Sequence, residues 1–169
     1  MVGDDLKSIG LVLILLFELI LQATFFQFMS INGYYPDLVL ITLVIIGVFY
    51  DKEASWKYGF IIGVLRDILY GRVFGVYALG YTVTIIAVSW IGKNIFKESF
   101  ASPLLLFPVG TVTINSLVYI IHYLLRMAVP VEEYIANFGL MYWMLNLGVL
   151  AIMYSLFRTL RQKGILLKM

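Results

Sequence analysis

With 169 residues, 62% of them hydrophobic and 13% charged, the chain has too few charged groups to clothe a water-soluble surface. Its mean hydropathy of +0.97 places it in a membrane, and a net charge of +2 leaves no footprint for nucleic acid. It has no cysteine and one histidine, which removes disulfides, thiolate nucleophiles and the usual zinc or haem ligand sets, so no cofactor or metal is expected.

Apolar runs near 20 residues, enough to cross about 30 Å of hydrocarbon, define six segments of one all-α integral membrane bundle. They fall at about 8–29, 37–50, 55–71, 74–92, 102–126 and 134–157, with a short basic tail over 158–169. The first follows two acids without a small-residue cleavage site and reads as an uncleaved anchor. Glu18 lies near its centre, with Gln22 one turn later. A carboxyl at that depth is either protonated and hydrogen-bonded or paired with a cation. The second segment opens on Pro36 and Asp37. Like the third it is short, which predicts tight hairpins and local thinning of the bilayer.

The third segment carries GFIIGVLRDILYGRVFG, residues 59–75, in which Gly59, Gly63, Asp67, Gly71 and Gly75 recur at every fourth position. Small residues at that spacing let helix backbones approach closely in a membrane. Asp67 lies on the ridge formed by Gly59, Gly63 and Gly71, so its carboxylate is expected to point inward, toward backbone N–H groups or hydroxyls. Gly75 suits a sharp reversal into the fourth segment. The ridge has two uses, packing within the chain or docking a partner helix. Arg66 is turned about 100° from Asp67 around the helix. It lies near the outer end, where it is expected to snorkel.

In the fifth segment Pro108 predicts a kink. Asn115, Tyr119, His122 and Arg126 follow at steps of four, three and four and so share one face. That face serves as an interhelical hydrogen-bond seam, with Asn146 as its expected partner, or as the lining of a small cavity. Pro130, Glu132 and Glu133 read as the outer start of a long sixth helix. Nine of the twelve Lys and Arg residues fall on the side of the two termini, which places both in the cytoplasm. Tyr34, Tyr35, Trp56, Tyr58, Trp90 and Phe96 near segment ends read as an interfacial belt. The tail suits either an anionic inner leaflet or solvent. No nucleophile elbow, phosphate loop, HExxH pair or dinucleotide fingerprint appears, and one carboxylate on the third segment is too few to hold a catalytic metal, so the chain reads as no enzyme.

The segment YYPDLVLITLVIIGVFYDKEASWKYGFIIGVLRDILYGRVFGVYALGYT, residues 34–82, resembles the MreD family of bacterial rod shape-determining membrane proteins. The resemblance lies in Pro36-Asp37 at the start of the second segment, Gly59 and Gly63 leading to Asp67, and Gly71 and Gly75 leading into the fourth. It implies a non-enzymatic subunit of the cell-elongation machinery in the bacterial inner membrane. The implied partners are the single-span MreC protein and, with it, the MreB filament and the RodA glycosyltransferase with its penicillin-binding transpeptidase. Apart from the resemblance, membrane lipid is an expected partner of so apolar a chain, and a second copy is left open because the sequence does not reveal oligomeric state. The family is also similar in fold to the substrate-binding S components of energy-coupling-factor vitamin transporters, which supplies an alternative function. In that alternative Glu18 and the stripe from Asn115 to Arg126 would face a ligand. An Arg at position 66 beside the Asp is not part of the family pattern.

Overall fold

The computed structural model describes residues 2–28, 33–50, 52–95, 101–127 and 131–162. They form α1 (Val2–Phe28), α2 (Leu38–Phe49), α3 (Lys52–Tyr70), α4 (Val76–Ile95), α5 (Ala101–Leu124), the short α6 (Val131–Ile135), a 3-10 turn (Ala136–Phe138) and α7 (Leu140–Gln162). Among the described residues four stretches are long and apolar enough to cross a membrane: Ser8–Phe25, Val76–Lys93, Ala101–Leu124 and Leu140–Leu160. α3 has the length but carries Lys57, Arg66 and Asp67, and α2 is apolar but spans 12 residues, about 18 Å.

The shortness of α2 follows from its position. Every residue from Leu38 to Gly47 is buried, as expected of a helix that is apolar all round and sits at the centre of its fold. Packed against α1, α3, α4, α5 and α7, it has no lipid face to match to the bilayer. The segment before it runs non-helically through Tyr35 to Asp37 and lines a polar cavity, the setting in which irregular backbone is tolerated at membrane depth.

Contacts fix the helix directions. Ser8 meets Tyr58 and Leu19 meets Tyr70, so α1 and α3 run parallel, while Glu18 with Thr42 and Gln22 with Asp37 set α2 antiparallel to α1. α3 and α4 are antiparallel and closest of all. A Cβ at Gly59 would stand 2.7 Å from the Tyr81 carbonyl oxygen, and one at Gly63 would overlap the Tyr77 carbonyl oxygen and the Ala78 Cα. Gly59 and Gly63 therefore lie under α4 of the same chain. Tyr58, placed in the interfacial belt by its sequence position, is instead buried and donates to Ser8; Trp56 and Trp90 are exposed. Phe96 and residues 163–169 of the tail lie outside the described residues.

The sixth segment differs from the single helix expected over 134–157. α6 ends at Ile135, the 3-10 turn follows, and Gly139 takes an extended conformation (φ −68°, ψ 148°) before α7 begins. At the break, Asn137 in the 3-10 turn donates from Nδ2 to Asn115 Oδ1 at 2.8 Å. Pro108 lies inside α5, which continues through it from Ala101 to Leu124.

Candidate functional site

The Asp67 carboxylate accepts three backbone hydrogen bonds. The side chain is buried, and the donors are the N–H groups of Gly75 (3.0 Å), Tyr77 (3.0 Å) and Ala78 (2.9 Å). These are among the first donors of α4, which have no partner inside their own helix. A carboxylate from the preceding helix satisfies them and meets the positive end of the α4 dipole. The reversal that brings them to Asp67 depends on Gly75, whose φ of +97° lies in the left-handed region that other residues adopt at a cost. Gly71 closes α3, its N–H donating to the Asp67 carbonyl at 3.0 Å. Asp67, Gly71 and Gly75 thus form one turn-and-cap unit, and Gly59 and Gly63 extend it down the seam.

Asp37 does the same for α2. Its Oδ1 accepts the Leu40 N–H at 3.0 Å and Gln22 Nε2 at 3.2 Å, and its own N–H donates to Asn146 Oδ1 at 2.8 Å. Pro36, just before it, is buried. The expected pairing of Asn146 with the α5 stripe is replaced by this bond, because Asn146 sits level with the start of α2, and its Nδ2 returns to the Tyr142 carbonyl. Asp37 joins α1, α2 and α7 at one end of the bundle.

Beside these caps lies a cavity of about 320 Å³, at the end of the bundle where α3 and α5 finish and α2 and α4 begin. Asp37, Arg66, Arg72, Asn115, His122 and Asn137 supply its polar lining, and Tyr35, Tyr70, Tyr77, Tyr81 and Tyr134 much of the rest. Arg66 does not snorkel. Its guanidinium stacks over the Tyr77 ring, 4.0 Å from the centroid, and donates to the Tyr81 hydroxyl, because the α3–α4 seam holds these aromatics beside it. Burial, and next the charge of Asp37, push the Tyr35 hydroxyl above the ordinary phenol value, with Arg66 pulling the other way.

The α5 stripe divides. Asn115 and His122 face the cavity and also form a seam, to Asn137 and to the Tyr134 hydroxyl (2.6 Å from Nδ1), so the short α6 and the 3-10 turn fold back over the stripe. Tyr119 meets the edge of Tyr134. Arg126 does not join them. It is exposed with φ 53° and terminates α5: its N–H donates to the Tyr123 carbonyl and the next N–H to the His122 carbonyl. That is the left-handed helix stop usually made by glycine. Glu18, far down α1, is buried and accepts from Thr42 Oγ1 at 2.8 Å, while its Oε2 has no partner among the described residues. It lies apart from the cavity.

Missed by sequence reasoning were Arg72, Asn137 and Tyr134. Asn137 two residues before Gly139 is the signal that could have marked the helix break.

A family model described as rod shape-determining protein MreD matches residues 6–164. The chain belongs to the MreD family. No curated protein and no solved structure matches it. Family membership and the four long apolar helices make it a membrane protein with a part in determining rod shape. The expected likeness to transporter S components, and with it the uptake alternative, has no matching structure behind it.

Proposed function

We propose that the chain is a non-enzymatic scaffold of the cell-elongation machinery, crossing the bacterial inner membrane six times with both termini in the cytoplasm. It holds the single membrane span of MreC and, through it, serves the MreB filament and the RodA glycosyltransferase with its transpeptidase. The family description and the residue pattern of the 34–82 segment support this reading.

One observation carries the docking role. α7 leaves a face of small residues uncovered: Ala151, Ser155 and Thr159 recur at every fourth position, and a Cβ at Gly148 would meet nothing within 4 Å. With Ile152 and Leu156 they form one open face of α7. In lipid, helices associate through close backbone approach at small residues, so this face suits a single apolar helix. Gly59 and Gly63 offer no such surface, since α4 fills it.

Ser155→Leu puts a bulky side chain on this face at an exposed position. Recovery of MreC in mild-detergent purification from the native bacterium is expected to fall at least tenfold while the inserted chain stays equally abundant. Unchanged recovery, or loss of a second copy of the chain instead of MreC, would sink this assignment of the face.

A further inference from the structure

The polar cavity carries more positive charge than its own residues balance. Two guanidiniums, Arg66 and Arg72, line it against one carboxylate, Asp37. Asp37 also holds the Leu40 N–H and Gln22, and Arg66, though it feels the Asp37 charge, makes no direct ion pair among the described residues. A guanidinium has five N–H donors in one plane. The face of Arg66 is covered by Tyr77 and one donor goes to Tyr81, which leaves the rest of its edge for the cavity. A guanidinium edge without a direct carboxylate partner is stabilised by an anion bound to it.

The surroundings say what carries that anion. An apolar groove of about 210 Å³ beside Leu19 and Ala23 shares Tyr35, Arg66 and Tyr70 with the cavity. A second, of about 170 Å³ beside Val131, Ile135 and Phe138, shares Asn115 and Tyr134. A charged chamber with apolar grooves leaving both sides has the shape of an amphiphile, and a free phosphate would leave the grooves unused. We propose that this cavity binds the phosphodiester headgroup of an anionic membrane lipid. Arg66 grips it in bidentate fashion, Arg72 adds the second charge, and an acyl chain lies along the Leu19–Ala23 groove.

The test uses the full chain, purified and delipidated, titrated with phosphatidylglycerol, phosphatidylcholine of the same chains, or inorganic phosphate, and read by native mass spectrometry. Phosphatidylglycerol is expected to bind at least tenfold tighter than phosphatidylcholine, with millimolar phosphate failing to displace it. Arg66→Gln should weaken phosphatidylglycerol binding tenfold or more, and Arg72→Gln, at an exposed turn, about threefold. Arg158→Gln, exposed near the far end of α7, should leave it unchanged. Arg72→Gln decides alone should Arg66→Gln not fold. Equal affinity for the two lipids, wild-type binding in the folded arginine variants, or displacement of lipid by micromolar phosphate would each overturn the proposal, the last in favour of a free anion.

Discussion

α3 and α7 each carry small residues at helical spacing, and the two faces have opposite fates. On α3, Gly59 and Gly63 are pressed against the α4 backbone so closely that one added carbon collides with it. On α7, Gly148 looks into open space, and Ala151, Ser155 and Thr159 continue an open face. The same spacing therefore makes an internal seam in one helix and leaves a free surface in the other. Spacing alone does not distinguish them. The neighbouring sequence does: α3 is followed by a four-step turn ending in Gly75 and by a cap from Asp67, which forces α4 to return directly along it. At Gly148 of α7, by contrast, no described helix comes within 4 Å of an added Cβ.

The contrast can be broken in graded ways. The largest effect is expected from Gly63→Ala, whose methyl overlaps main chain that cannot yield; a loss of about 3 kcal/mol or more, read by thermal unfolding in detergent, fits such overpacking. Gly63→Leu would act the same way, so it reports on the fold and not on docking. Asp67→Ala comes next. It strands three N–H groups at the start of α4, that of Ala78 buried and those of Gly75 and Tyr77 half-buried, and should cost about 3 kcal/mol, with Asp67→Asn retaining part of that through its remaining carbonyl oxygen. If Asp67→Ala left the melting temperature unchanged, the cap would not be what holds the α3–α4 seam. Asn137→Ala removes the single bond from the 3-10 turn to Asn115 and should cost about 1 kcal/mol. Smallest is Gly148→Ala, which collides with nothing and improves helix propensity, so stability should hold or rise by about 0.5 kcal/mol. A marked loss there would mean that α7 is covered on that side.

Much of this arrangement was legible in the sequence. An all-helical membrane chain follows from composition, and the bounds of α3, α4 and α5 lie close to the apolar runs that marked them. A carboxylate among glycines had to find donors inside the protein, and the short GRV connection put the next helix start within reach. Three features escaped for physical reasons. α2 looks like a short lipid-spanning segment because apolar residues suit lipid and protein interior equally well; only its neighbours show that it is central. Arg66 seemed free to snorkel because the aromatics that hold it, Tyr77 and Tyr81, come from another helix. Arg126 fell on the polar stripe by periodicity, yet the helix ends just before it and its backbone turns left-handed, so periodicity no longer says where it points.

Since the chain contains no cysteine, single cysteines can be placed on it without background. The most direct test of the open α7 face is oxidative crosslinking in native membranes from Ser155→Cys, compared with Ile68→Cys on the exposed side of α3, to a cysteine introduced in the membrane span of MreC. A disulfide adduct from position 155 and none from position 68 is the predicted result. An adduct from position 68 with none from position 155 would contradict the account and return the partner to α3.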